Sequence, residues 1–194
     1  MIRNHDRSGW FGASDTATIM GNWNTDTFRR WWLVKLGVRK DRFVTPSMQC
    51  GTAYEHKILD ALGVKTRDRQ IRIRSLRLRV NYDGESRQLI TEVKTHSKPV
   101  FKVTKAYWQQ CQVEMFSSGC GLFRKRKFCM IVAYRVTEDE LFNFFLPIDE
   151  NRLTQHKVDY DAEWIEGCYL PRLRYLAKCL RTGHWPQEEE LCSR

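Results

Sequence analysis

Asp83, Glu92 and Lys94 are the residues whose types and spacing could support metal-dependent hydrolysis. On a predicted strand at 88–95, Glu92 and Lys94 project from one face with the Val93 carbonyl between them, because side chains alternate along a strand. A hairpin would bring Asp83, at the end of the preceding strand, beside Glu92. Two carboxylates and a carbonyl form an all-oxygen site of the type that Mg²⁺ or Mn²⁺ prefers. Such a metal could activate a water, which Lys94 would help to orient.

The Glu-x-Lys spacing is a weak signal by itself, since it is expected about once by chance in a chain of this size. The alternative is a solvent-facing pair of charges on a hairpin. Two polar residues on predicted helices add context. Glu55 would be a third acid near the metal, or an ordinary exposed helix acid. Gln110 would orient a water or a phosphate, or would belong to a polar helix face.

The elements that must position these side chains follow from periodicity, caps and glycines. Helices are predicted at 16–20, 28–36, 47–62 and 105–118, and a long helix at 161–181 with a kink at Pro171. Strands are predicted at 70–74, 76–80, 88–95, 128–136 and 141–148, with a turn at 83–86. This order describes an α/β domain in which helices pack on a central sheet. No repeat or linker divides the 194 residues, so we expect one domain.

The charge balance favours a polyanionic partner, most often nucleic acid. Lys and Arg total 33 against 23 acids, for a net charge of +10. The stretch 65–79 holds four arginines that alternate with apolar residues and lead towards Asp83: Arg72, Arg74, Arg77 and Arg79. We interpret them as a phosphate-backbone track; the alternative is an edge strand that resists aggregation. The run 124–127 would contact the same duplex or be a solvated turn.

Cysteine usage and the lack of long apolar runs indicate the compartment. Seven cysteines without a CxxC pair suggest thiols in a reducing environment, and we expect no zinc or iron–sulfur cluster. No segment has the length of a signal h-region or a membrane span, so we expect a cytoplasmic protein with no membrane partner.

In chain order, these motifs resemble the lambda exonuclease-like, or YqaJ-type, viral recombinase nucleases of the PD-(D/E)XK superfamily. The resemblance covers nearly the whole chain. It is carried by Arg7-Ser8-Gly9, 12–15, Ile19-Met20-Gly21, 32–37, 51–55, Asp83-Gly84, Glu92-Val93-Lys94, 107–119 and the last helix with Gly183 and Pro186. Tyr82 stands where the superfamily name expects proline, at a variable position.

The resemblance implies a restriction-endonuclease-like fold, with a central mixed β-sheet flanked by helices in a single domain over 1–194. It assigns Asp83, Glu92 and the Val93 carbonyl to the metal and Lys94 to the attacking water. Glu55 and Gln110 would be accessory active-site groups. Arg7 and Ser14 match positions that hold the 5′-phosphate of a DNA end.

The implied activity is Mg²⁺-dependent digestion of linear double-stranded DNA from its ends, 5′ to 3′, in phage-type recombination. The resemblance also implies a homotrimer, a single-strand annealing protein as partner, and the cytoplasm of a bacterial or phage-infected cell. Two alternatives remain open: a non-catalytic DNA-binding module on a nuclease-like scaffold, and an endonuclease or junction resolvase. Arg7 and Ser14 discriminate, because a 5′-phosphate pocket is useful only to an enzyme that starts at an end.

Overall fold

A mixed β-sheet organises the part of the chain that the computed structural model describes, residues 7–40, 44–119 and 128–191. Its strands follow chain order: β1 (Thr66–Ile73), β2 (Leu78–Glu85), β3 (Leu89–His96), β4 (Phe128–Arg135) and β5 (Leu153–Val158). β3 and β4 are parallel, and the other neighbouring pairs are antiparallel. The mixed sheet flanked by helices in one domain confirms the predicted fold class.

The helices begin where the sequence supplies caps. They are α1 (Thr16–Ile19), α2 (Asp26–Lys35), α3 (Pro46–Ala61), α4 (Lys105–Ser117), α5 (Ala162–Trp164) and α6 (Leu170–Thr182). Thr25, Thr45 and Thr104 precede α2, α3 and α4, and each hydroxyl accepts a hydrogen bond from the first turn of its helix. Such caps satisfy amides that have no partner within the helix.

The helices cover both faces of the sheet. On one face, Tyr54 and Ile58 of α3 pack with Val93 and Tyr134 of the sheet. The other face packs against α1, α2, α4 and α6. Ile90 belongs to the core on this second face. Because side chains alternate along a strand, Glu92 and Lys94 also lie on this face, on the side of α4.

The predicted strand at 141–148 is wrong. Its start belongs to a 3₁₀ turn at Asp139–Leu141, and the described chain forms no strand between β4 and β5. Lys57 of α3 donates to the Leu146 carbonyl at 2.8 Å and also to that of Phe144. Tyr54 donates to the carbonyls of Asn143 and Leu146. These carbonyls are satisfied by side chains, so the alternation of apolar residues does not produce a ladder.

Two other element ends differ from the prediction. The predicted turn at 83–86 is shifted, because β2 continues to Glu85 and the Ser86 amide then donates to the Leu89 carbonyl at 2.8 Å. Asp83 therefore lies within a strand. The last helix is interrupted by a π turn at Ile165–Tyr169, immediately before the helical segment that holds Pro171. The change of phase near Ser75 is confirmed as a 3₁₀ turn at Arg74–Leu76.

Two findings bear on the expected compartment. Among the described residues, no helix is both long enough and apolar enough to cross a membrane. The cysteines within the same ranges are free thiols, and Cys168 is the exposed one among them.

Candidate active site

The candidate site lies where β2 and β3 separate. Within these described strands, β2 pairs with β3 only at Gly84–Thr91 and Glu85–Ile90. Asp83 is the residue before Gly84 on β2, and its carboxylate accepts a hydrogen bond from the Val93 amide at 2.8 Å. The side chain thus takes the place of a ladder hydrogen bond and is fixed beside the strand that carries Glu92.

Glycine is required next to Asp83 because α3 packs closely on the sheet. A Cβ at Gly84 would lie 2.8 Å from Val64 Cγ1 and 3.0 Å from Leu59 Cδ2. Both contacts are shorter than normal van der Waals distances, so a larger residue would force the side chains of Leu59 on α3 and Val64 after it to shift. This close packing brings Glu55 of α3 near Asp83.

An N-terminal segment occupies the edge of β2 that β3 leaves. The Phe11 amide donates to the Arg77 carbonyl and the Arg79 amide to the Phe11 carbonyl, both at 2.8 Å. Buried Asp15 anchors this segment, since it accepts hydrogen bonds from the Gly12 amide, the Trp31 indole and the Lys35 ammonium at 2.6–2.8 Å. Ser14, next to Asp15, is exposed and faces a cavity.

That cavity, of about 230 Å³, brings together two predicted groups of residues. Its lining includes the phosphate-binding candidates Arg7, Ser14 and Arg79 and the catalytic candidates Asp83, Glu92 and Gln110. Sequence reasoning did not select Trp10, Lys35 and Asn81, which also line it. Asn81 alternates with Asp83 along β2, so strand periodicity could have identified it.

Glu92 and Lys94 belong to a buried polar network with α4. Lys94 Nζ donates to Glu92 Oε1 at 2.5 Å and to Gln110 Oε1 at 3.2 Å. Gln110 Nε2 donates in turn to Glu92 at 2.5 Å and to Glu114 at 2.9 Å. Burial alone would lower the pKa of Lys94, but the neighbouring Glu92 carboxylate outweighs it and raises this pKa, so the ammonium stays charged.

The carboxylates of Asp83 and Glu55 are destabilised as anions. Burial raises the pKa of Asp83 well above its usual value, and the charges of Glu92 and Glu55 raise it further. Burial likewise raises the pKa of Glu55, and the charges of Glu92 and Asp68 contribute in the same direction. Closely spaced carboxylates that resist ionisation are a donor set that a divalent cation would stabilise. Asp83, Glu92 and the Val93 carbonyl therefore fit the predicted metal.

The arginines do not form one continuous strand face. Arg72 on β1 pairs in register with Arg79 on β2, and Arg79 lines the cavity. The guanidinium carbons of Arg72 and Arg77 lie 5.9 and 6.0 Å from the centre of the Trp10 ring. Arg74 lies in the 3₁₀ turn rather than on a strand. The run 124–127 lies outside the described residues.

Glu114 is a buried acid that the sequence analysis missed, although it follows Gln110 by one helical turn. Its carboxylate and the thiols of Cys111 and Cys129 offer atoms that all lie within 4.8 Å of one another. Burial raises the pKa of Glu114 well above its usual value, and the charge of Glu92 adds to this. Hydrogen bonding with Cys111 and burial raise the pKa of Cys129. Both shifts disfavour the charged forms of Glu114 and Cys129.

A more exposed group lies on the other side of Asp83. Atoms of Glu55, His56 and Asp68 also lie within 4.8 Å of one another, and His56 Nε2 is 3.3 Å from Asp68 Oδ2. Asp68 has a positive φ of 52°, which is uncommon for a residue other than glycine. This backbone conformation was not predicted from the sequence.

Comparison with known proteins identifies the fold. No family model and no curated protein sequence matches the chain. Among solved structures, the chain is similar to an alkaline exonuclease, LHK-Exo, from Laribacter hongkongensis, with a TM-score of 0.58 and 17% identity over 91% of this chain and 94% of that chain. It also resembles SSO0001, with a TM-score of 0.47 and 10% identity over 97% and 81% of the two chains, a likeness too distant to carry an argument. The first likeness shows a shared fold.

Proposed function

We propose that this protein is a Mg²⁺-dependent deoxyribonuclease, with Mn²⁺ as a possible substitute, that digests linear double-stranded DNA from its ends, 5′ to 3′. One observation carries the proposal: a single cavity contains Arg7, Ser14 and Arg79 together with Asp83 and Glu92. Cations and a hydroxyl suit a terminal phosphate, and the adjacent carboxylates suit hydrolysis of the next phosphodiester. The fold shared with an alkaline exonuclease supports the same class of activity.

The residues of the cavity wall favour a strand end over an internal segment. Arg7 and Ser14 supply a cation and a hydroxyl for a terminal phosphate beside the carboxylates, in a cavity of about 230 Å³. The segment that carries Phe11 is hydrogen-bonded to β2 beside Arg79, and it forms part of the cavity wall. A 5′-phosphate held there would leave the first internal phosphodiester near Glu92 and Lys94.

In the proposed mechanism, each side chain has a role that follows from its contacts. Asp83, Glu92 and the Val93 carbonyl would hold the cation, which when bound supplies Lewis-acid stabilisation and an acidified water. Lys94 stays protonated and orients the attacking water towards the phosphorus atom. Gln110 contacts both Lys94 and Glu92 and fixes their relative positions. Arg7 and Arg79 neutralise phosphate charge and align the strand for in-line displacement.

Digestion of one plasmid in three forms tests the proposal: covalently closed circle, linear duplex with 5′-phosphates, and linear duplex with 5′-hydroxyls. We expect loss of the 5′-phosphorylated linear form with Mg²⁺ and none in EDTA. The circle should persist and the 5′-hydroxyl form should be degraded more slowly. Cutting of the circle would instead identify an endonuclease or resolvase. Binding to every form without digestion would identify a non-catalytic DNA-binding module.

Variants of the phosphate-binding residues test the direction of digestion. Arg7→Ala and Ser14→Ala should remove most of the preference for 5′-phosphate over 5′-hydroxyl ends, because they delete donors to the terminal phosphate. Arg174→Ala is the matched control, since Arg174 is exposed on α6 and does not line the cavity. An unchanged preference in Arg7→Ala would refute the assignment of the phosphate pocket.

The biological setting is part of the same proposal. We infer a role in phage-type recombination, in the cytoplasm of a bacterial or phage-infected cell, with the remaining 3′ strand passed to a single-strand annealing protein. The resemblance to the recombinase nucleases also suggests a homotrimer. Light scattering of the purified protein measures the oligomeric mass, and a monomer at micromolar concentration would exclude the trimer.

A further inference from the structure

Another cavity, of about 610 Å³, lies beyond Lys94 at the carboxyl end of β3. It opens beside the start of α4, and its lining includes His96, Lys98, Phe101, Lys102, Thr104 and Tyr107. All of these residues lie within the described range 44–119. The function proposed above makes no use of this cavity.

The catalytic strand connects this cavity to the candidate active site. Glu92, Lys94 and His96 alternate along β3 and share one face. Lys94 Nζ lies 5.1 Å from the centre of the Tyr107 ring, which belongs to the cavity wall. Roughly 7 Å of strand separates Lys94 from His96. The cavity therefore begins about one or two nucleotides from the scissile position, given a rise of about 3.4 Å per nucleotide.

The charge of the cavity suits an anion. Lys98 and Lys102 line it, and no acid is among the described residues of its wall. Two helices of more than eight residues also begin there. Ser47, the second residue of α3, and Thr104, the residue before α4, both belong to the lining. Amides and partial positive charge at these helix ends add to the charge of the lysines.

One wall of the cavity is aromatic and firmly packed. Phe101 stacks on Tyr107 with ring centres 5.7 Å apart and an interplanar angle of 9°. The same ring packs at a tilt against His96 at 5.2 Å and His156 at 5.1 Å. A rigid aromatic wall favours the sugar and base of a nucleotide, while lysines favour its phosphates. Both parts of a nucleotide therefore find complementary groups in this cavity.

We propose that this cavity binds the cleaved DNA strand on the 3′ side of the scissile phosphate. Lys98 and Lys102 contact its phosphates, and the Phe101–Tyr107 wall contacts a sugar or base. The inference rests on the proposed function: once the cavity with Arg7 holds the 5′ end, the rest of the strand must leave past Lys94. The site would thus retain the substrate between successive cuts.

The test compares two double variants with equal changes in charge. The cavity variant, Lys98→Ala/Lys102→Ala, removes two exposed lysines from the cavity. The α6 control, Arg174→Ala/Lys178→Ala, removes two exposed cations from α6. Affinity for a 5′-phosphorylated duplex is measured by fluorescence anisotropy in EDTA, which prevents turnover. The cavity variant should bind about 3- to 30-fold more weakly at moderate salt. Its slope of log Kd against log salt should fall by about 1.4 to 1.8, the value for two phosphate contacts.

Site-specific neutralisation of the DNA locates the contact. A methylphosphonate at the first, second or third phosphate beyond the scissile linkage should weaken binding by the wild-type protein and by the α6 control. At the position that the lysines contact, it should have little further effect on the cavity variant. The inference is overturned if the two double variants bind alike, or if every methylphosphonate penalty persists unchanged in the cavity variant.

The digestion assay separates failure of this inference from failure of the proposed function. If the wild-type protein degrades linear DNA but the cavity variant matches the α6 control, only the second binding region is wrong. If the wild-type protein neither degrades nor binds linear DNA, both proposals are wrong.

Discussion

Asp83→Asn should abolish hydrolysis and at the same time stabilise the metal-free protein at neutral pH. Burial and the charges of Glu92 and Glu55 raise the pKa of Asp83, so the ionised carboxylate is disfavoured in the folded state. Asparagine has nearly the same shape, and its carbonyl oxygen can accept the hydrogen bond from the Val93 amide. The substitution therefore removes the unfavourable charge and keeps the contact that fixes the side chain.

The expected size of the effect follows from this single charge. Stabilising substitutions at strained functional positions typically contribute about 0.5 to 2 kcal/mol. For a chain of this size, each kcal/mol raises Tm by about 2 to 4 °C, so Asp83→Asn should raise Tm by about 1 to 8 °C in EDTA at pH 7. Asp159→Asn is the matched control, because Asp159 is exposed and pairs only with Lys157 among the described salt bridges. Its Tm should change by less than about 1 °C.

The raised pKa of Asp83 also determines how the stability difference between Asp83→Asn and wild type changes with pH. A carboxyl group whose folded-state pKa is raised makes the protein less stable as pH rises from its ordinary pKa through the raised one. The stability gap between Asp83→Asn and wild type should therefore be larger at pH 7 than at pH 5 and should close as pH falls towards 4. Addition of Mg²⁺ should also narrow the gap, because a ligand at 100 times its Kd stabilises the protein that binds it by about 2.7 kcal/mol.

Thermal unfolding in EDTA at pH 7 and pH 4, repeated at pH 7 with Mg²⁺, measures all of these quantities. The reasoning is refuted if Asp83→Asn is no more stable than wild type in EDTA at pH 7. It is equally refuted if Mg²⁺ stabilises the variant as much as the wild-type protein.

Three further predictions concern the network around the site and the opposite edge of the fold. Lys94→Ala should lower kcat on linear duplex DNA by about 10²- to 10³-fold, while the Kd for that DNA in EDTA changes by less than about 3-fold. Near-normal turnover would exclude the role given to Lys94. Glu114→Gln should change the free energy of unfolding in urea by less than about 1 kcal/mol, because burial raises the pKa of Glu114 and so disfavours its charged form. Glu114→Ala should cost about 2 to 4 kcal/mol and disturb Gln110. A large loss in Glu114→Gln would show a buried charge. Burial alone would raise the pKa of Glu140, but hydrogen bonds led by that from Arg152 lower it to about 2. Arg152→Ala should therefore cost about 3 kcal/mol of unfolding free energy at pH 7, and this cost should shrink as pH falls from about 4.5 towards 2. A cost that is independent of pH in urea unfolding would contradict the pairing.

Local patterns in the sequence were sufficient for most elements of the fold. The cap at Thr25, the start at Ser47 and the terminal glycines predicted α2, α3 and α4 within a few residues, whereas the caps at Thr45 and Thr104 were found only in the structure. Alternation predicted β3 and β4, and the change of phase at Ser75 predicted the break between β1 and β2. These features depend on neighbours within about four residues, and such short-range preferences are encoded directly in the chain.

The failed strand at 141–148 shows the limit of such patterns. Its alternating apolar residues have the period of a strand, but Tyr54 and Lys57 of α3 satisfy carbonyls of this segment. The backbone of this segment bonds to side chains more than 80 residues away in sequence. No local pattern reports a competing partner of that kind.

For the candidate site, residue types and spacing pointed to Asp83, Glu92 and Lys94, and the family resemblance added roles for Glu55 and Gln110. Only the tertiary structure decided that β2 and β3 separate at Asp83 and that the segment with Phe11 takes the vacated edge. This separation places Arg7 and Ser14 in one cavity with carboxylates about 70 to 85 positions away in sequence. The fold also places the buried Glu114 beside Gln110. Strand alternation and helix caps are local properties, whereas the shared cavity depends on which distant segments satisfy each other's hydrogen bonds.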